Sequence, residues 1–180
     1  MVGCATRFPV EPGGRVLSIT RSDPPLLPTN PAYGTTLQVR WLGTACYLIQ
    51  LGDRAIFTDP FLSHQSMARV WFHGAIESDA LAVRTNLASL PVVPKAIFVG
   101  HSHYDHLLDA AECLRQPNWS GVPIYGSQST SNILAGYGPE FAAHCHPVRT
   151  NTDRQPVSAG IRYKAFIAPH GRQLPVGPLL

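Results

Sequence analysis

Long apolar runs are absent from this 180-residue chain, because Gly, Pro or polar residues interrupt every one of them. None approaches the roughly 18 consecutive residues that a membrane-spanning helix needs, so no such helix is expected within these residues. Charge is scarce too, at 14% of residues against 44% hydrophobic, a balance that suits one domain able to bury a sizeable core. The net charge of +3 comes from Lys and Arg placed singly rather than in a stripe, so nucleic acid is not an expected partner.

Closely spaced cysteines are also missing. Cys4, Cys46, Cys113 and Cys145 lie far apart with no CxxC pair, which argues against a zinc knuckle or a dense disulfide framework and for buried or free thiols. Cys4 follows a small residue in "MVGCA", as a lipidated cysteine does at the end of a bacterial lipoprotein signal. The charged and apolar regions expected before it are not there. Two readings stay open: an ordinary N-terminus on a cytoplasmic protein, or a start inside a longer signal whose product is membrane-anchored through Cys4.

Along the chain, residues 1–35 are rich in Pro and Gly with weak periodicity and read as an N-terminal arm. From Leu37 the pattern changes. "LQVRWLG", "ACYLIQL" and "RAIFTD" are short, β-branched and aromatic runs, the last two joined by the hairpin-type turn Gly52-Asp53, and together predict three antiparallel strands. Residues 62–90 predict a loop with one or two short helices. Then follow "KAIFVG" as a buried strand, "LLDAAECLRQ" as a helix, "VPIYG" as a strand, "STSNILAGY" as a helix and "IRYKAFIAP" as a strand. A β-rich start followed by alternating strands and helices predicts an α/β sandwich over residues 36–180.

Chemistry concentrates in "HSHYDH", directly after the predicted strand. With 8 His in the chain, a chance match to this spacing is on the order of one in two thousand. If the segment is extended, alternation sends His101, His103 and Asp105 to one side and His106 to the other. Imidazole nitrogens and a carboxylate oxygen suit Zn, and Fe or Mn accept the same donors. Such an ion would lower the pKa of a bound water from 15.7 to about 7 and polarise a scissile carbonyl or phosphoryl oxygen. For a third histidine there are two candidates: His170, just beyond a short apolar strand as His101 is, and the pair His144 and His146 in "HCHP". His64 and His73 fall in the loop region and read as surface or hydrogen-bonded residues. Tyr104, between the ligands, faces the cleft or packs behind it.

This motif resembles that of the metallo-β-lactamase superfamily, in which H-x-H-x-D-H follows a core strand; here it is His101, His103, Asp105 and His106. The segment "VRWLGTACYLIQLGDRAIFTDPFLS" is similar to the superfamily's opening strands. The resemblance implies an αββα sandwich, with His101, His103 and a later His170 on one metal and Asp105 with His106 on a second. It also implies that Asp59 is a structural group near the metal loop; the residues alone would read it as a turn-starting Asp before Pro60. "TDP" together with "HSHYDH" is most similar to the branch holding N-acyl-phosphatidylethanolamine phospholipase D and ascorbate-6-phosphate lactonase. The implied activity is hydrolysis of a phosphodiester, phospholipid or lactone, with a small-molecule or lipid substrate and one or two metal ions. In the family a bridging Asp and a final His complete the site. No Asp, Glu or His follows His170, so the expectation is a chain covering the first half of the sandwich and the start of the second. The alternative expectation is a member that binds metal without turnover.

Overall fold

The structure is a computed structural model that describes residues 15–20, 36–72, 75–150, 154–158 and 160–166. Residues up to Val148 form one compact unit, and residues from Arg149 onward form a second.

The first unit is built on a seven-stranded sheet in chain order: β1 (Arg15–Thr20), β2 (Thr36–Gly43), β3 (Cys46–Leu51), β4 (Arg54–Thr58), β5 (Ile97–Phe98), β6 (Ile124–Gly126) and β7 (Cys145–Pro147). Strands β1 to β4 are antiparallel, and β4 to β7 run parallel. Gly52, at φ 62°, supplies the left-handed residue that the two-residue β3–β4 turn requires. The three strands expected between Leu37 and Asp59 are therefore present, in the expected antiparallel order. Strand β1 was not expected. "RVLSIT" alternates as a strand does, but its Pro- and Gly-rich flanks read as arm, and only pairing with β2, Val16 opposite Arg40 and Ile19 opposite Leu37, makes it one.

Six helices fill the connections among the described residues: α1 (Met67–Phe72), α2 (Ala80–Ala88), α3 (Tyr104–Leu107), α4 (Ala110–Arg115), α5 (Gln128–Tyr137) and α6 (Pro139–Ala143). The parallel strands need such crossovers, since no tight turn can return the chain to the same end of the sheet. Helix α2 starts where Asp79 accepts hydrogen bonds from the Leu81 and Ala82 N–H groups at 3.0 Å. It buries Val83 and Leu87, one turn apart.

Strand alternation separates the sheet's two faces. Leu48, Ala55, Phe57, Ile97, Ile124 and Cys145 point into the core with Val83, Leu87, Leu114, Trp119 and Leu134. Phe57 meets Trp119 edge-on at 5.2 Å between centroids. The other face carries Tyr47, Ile49, Ile56, Phe98 and Tyr125, all half-buried. Phe98 stacks on Tyr125 at 5.3 Å, and Tyr125 on His146 at 5.2 Å. Cys46, Cys113 and Cys145 are free and buried, as expected; Cys4 lies outside the described residues.

In the second unit β8 (Gln155–Ser158) and β9 (Ile161–Tyr163) form an antiparallel pair. The expected strand "IRYKAFIAP" is thus shorter than read, its last three residues lying outside the described part. The expected helix "LLDAAECLRQ" also differs. It is split, with Leu108 and Asp109 between α3 and α4, because the Asp109 side chain turns away from its own helix to bind a neighbouring loop.

Candidate metal centre

Three adjacent parallel strands end at one edge: β4 runs into Asp59, β5 into Gly100 and His101, and β6 into Ser127. Open α/β sheets place ligands outside such carboxyl ends. The motif loop leaves β5 here and turns into α3, with His103 in extended conformation just before the helix.

His101, His103 and Asp105 each bring one donor atom to this point, all within 4.8 Å of one another. His101 Nε2 lies 3.2 Å from His103 Nδ1. The His106 ring stacks at a tilt on His101, with centroids 3.8 Å apart. His106 Nε2 is 3.7 Å from Asp105 Oδ2, and Nδ1 is 3.3 Å from Asp59 Oδ1. That second contact is close but lacks the alignment of a hydrogen bond, which leaves a buried ring nitrogen without a hydrogen-bond partner.

All four motif residues are therefore gathered, though not by strand alternation. Residues 104–107 are helical, so Asp105 and His106 diverge by about 100° rather than 180° and stay on neighbouring sides of one cluster.

Asp59 anchors the loop from the next strand. Its backbone is left-handed, at φ 42°, and its Oδ1 accepts the Gly100 N–H at 2.7 Å. Burial pushes its carboxyl above the usual carboxylate value, while the Gly100 N–H and His106 act in the opposite direction. From behind, Ser102 Oγ lies 2.9 Å from Thr130 Oγ1 and 3.1 Å from Ser127 Oγ. Thr130 is fully buried, and Gly126 makes room for it: a Cβ there would meet Thr130 Oγ1 at 2.7 Å.

Tyr104 is 36% exposed and sets its ring edge-on to Phe61 at 5.9 Å. Burial, followed by the Asp105 charge, pushes its phenol up. His64 is exposed beside Phe61 at 5.8 Å, and its ring lies over Gly43, where any Cβ would collide with it. His144 follows α6, and His146 sits on β7 against Tyr125; neither belongs to the donor cluster, the one such group among the described residues. His73 and His170 lie outside the described residues.

Sequence reasoning passed over Asp109, Ser102 and Thr130. The signal for Asp109 was present as an acid set, with Glu112, inside the apolar run "HLLDAAECL", since a charge in a buried helix demands partners.

The family model described as the beta-lactamase superfamily domain matches residues 54–178. A metal-dependent hydrolase of Pyrobaculum islandicum is 30% identical over 102 residues, 57% of this chain and 37% of that protein. Another metal-dependent hydrolase, from Thermoplasma volcanium, is 26% identical over 134 residues, 74% of this chain and 48% of that protein. The chain thus spans less than half the length of both curated relatives. Among solved structures, Igni18, a metallo hydrolase of the archaeon Ignicoccus hospitalis, superposes with a TM-score of 0.51 at 16% identity, over 74% of this chain and 49% of that one. This last likeness speaks for the fold alone. With the α/β architecture in place and the family match running from β4 through the HxHxDH loop and beyond β9, the chain belongs to the metallo-β-lactamase superfamily.

Proposed function

We propose that the chain carries the first part of a divalent-metal hydrolytic site, in a protein that acts as a metal-dependent hydrolase. The observation that carries this reading is the convergence of His101, His103 and Asp105 within 4.8 Å at the ends of the parallel strands. Two imidazoles and a carboxylate fit zinc, with Fe and Mn as the other candidates. A bound ion would supply Lewis acidity and would activate water near neutral pH.

In this reading His101 and His103 would hold one ion, for which the family resemblance implies His170 as a further ligand, and Asp105 with His106 would hold a second. Asp105 would also orient the attacking nucleophile. Asp59 acts on the loop rather than on an ion, fixing Gly100 at its start and lying against His106. Ser102, tied to Thr130 and Ser127, holds the backbone between the two histidine ligands. The substrate is a phosphodiester or phospholipid, or a lactone, in line with the phospholipase D and lactonase branch that "TDP" and "HSHYDH" resemble.

Metal analysis of the purified chain against its His101→Ala/His103→Ala variant tests the site. Near-stoichiometric Zn, Fe or Mn in the wild type and a loss of at least about 100-fold in affinity in the variant is the expected result. Equal, negligible metal in both would sink it. A panel of a chromogenic phosphodiester, an N-acyl phospholipid and a lactone, offered to the metal-loaded protein, decides the substrate class.

A further inference from the structure

We propose that Asp109 is a positioning residue of this site: its buried carboxylate holds the turn that aims Asp59, and through Asp59 it sets the orientation of His106.

Asp109 is fully buried. It stands at the start of α4 yet makes no capping bond to that helix. Its Oδ2 instead accepts the N–H groups of Leu62 and Ser63, the latter at 2.7 Å, and its Oδ1 accepts the hydroxyls of Ser63, at 2.6 Å, and Ser78. Four donors on two oxygens satisfy the lone pairs of an acceptor-only carboxylate, which makes its burial tolerable. The Asp109 N–H in turn donates to the Pro60 carbonyl at 3.2 Å. Residues 60–63 are therefore gripped by the backbone and the side chain of a single residue.

What this grip holds gives it a meaning beyond stability. Asp59 directly precedes Pro60 and has the left-handed backbone that a non-glycine residue keeps only where its surroundings enforce it. In that conformation its carboxylate reaches the Gly100 N–H at 2.7 Å and lies 3.3 Å from His106 Nδ1. The other ring nitrogen of His106 then faces Asp105 at 3.7 Å. Asp109 is only three residues beyond His106, so the circuit closes on itself. The loop bound by Asp109 carries Asp59, Asp59 lies against His106, and α3 leads from His106 back to Asp109. A carboxylate serving only the fold has no need of this connection to the motif.

The consequence for metal binding rests on the hydrolytic-site reading above, whereas the orientation of His106 does not. The experiment separates them by reading ring nitrogens in metal-free protein and zinc affinity in a second measurement. Asp109→Asn keeps the shape and an acceptor for the two N–H groups, and the serine hydroxyls can rotate to meet its amide. Asp109→Ala removes the grip. Phe141→Ala, a core truncation in α6 that touches none of these groups, serves as the destabilised control.

Nitrogen-15 correlation spectra should show the His106 ring signals shifted in Asp109→Ala, less so in Asp109→Asn, and in the same sense in Asp59→Ala. Zn(II) affinity by competition should fall about 10- to 100-fold in Asp109→Ala, the range of outer-shell losses. Phe141→Ala should keep wild-type ring signals and affinity while melting earlier. If Asp109→Ala does not fold, Asp109→Asn and Asp109→Glu decide. Variants that melt earlier while their His106 signals match the wild type would overturn the proposal.

Discussion

The Gly100 N–H donates to Asp59 Oδ1 at 2.7 Å, joining the ends of two neighbouring parallel strands across 41 positions of sequence. The Asp59 N–H donates to the Phe98 carbonyl at 2.8 Å, so the link is double. The motif loop therefore starts from a fixed point.

Replacement of Asp59 separates the hydrogen bond from the backbone. Asn accepts a left-handed φ better than most residues and keeps an oxygen for Gly100, so Asp59→Asn should lose no more than about 1 kcal/mol. Asp59→Ala strands a part-buried N–H, at about 1–3 kcal/mol, and places Ala at φ 42° at a further cost of about 1–2 kcal/mol. Urea unfolding of the two variants should show that order; equal losses would remove the role assigned to this bond.

Buried thiols give the protein an alkaline limit. Burial pushes Cys46, Cys113 and Cys145 above the usual thiol value of 9.0. Above that pH the unfolded chain ionises these groups while the folded chain keeps them protonated. The unfolded state then binds fewer protons, so stability falls as pH rises, whereas below it the contribution is intact. Each fully buried thiol adds a slope of up to about 1.4 kcal/mol per pH unit. Unfolding curves under reducing conditions between about pH 8 and pH 10 should show the decline, and Cys46→Ala/Cys113→Ala should flatten it. The same two thiols should resist a thiol reagent until the protein is denatured.

Gly126 and Thr130 should behave as a coupled pair. A methyl at 126 meets Thr130 Oγ1 at 2.7 Å and its Cγ2 at 2.9 Å, so Gly126→Ala should cost about 1–3 kcal/mol by overpacking. Thr130→Ala removes two of the three close atoms, leaving the Cβ at 2.9 Å, and takes away the hydroxyl facing Ser102. The double variant should then be more stable than the sum of the single losses implies, a coupling of at least about 0.5 kcal/mol in a double-mutant cycle.

Phe57 should be the most sensitive apolar position among those facing the helices. It is fully buried and packs edge-on to Trp119. Phe57→Ala is expected to cost about 3–5 kcal/mol, a large share of the 5–15 kcal/mol typical of a domain. Trp119 is the reporter: its emission should shift red as the cavity admits motion and water, and Phe57→Leu should give an intermediate loss.

Much of the site could be read before folding because its donors are neighbours in sequence. Six consecutive residues contain His101, His103, Asp105 and His106, so a strand end and one turn suffice to gather them. The β2–β4 strands and the short helices after residue 62 were legible for a similar reason: period-two alternation and the Gly52-Asp53 turn are local signals. Strand β1 was not, since "RVLSIT" becomes a strand only through a partner some twenty residues away.

Sequence by itself determined the donor types, the spacing of the motif and the strand that presents it, since each is written in adjacent residues. Tertiary structure alone decided that Asp59 meets Gly100 and His106, that Thr130 backs Ser102, and that Asp109 leaves its helix to grip residues 60–63. Those contacts join residues 28 to 49 positions apart. A buried carboxylate or hydroxyl must find its partners wherever packing brings them, and no local pattern records where that is.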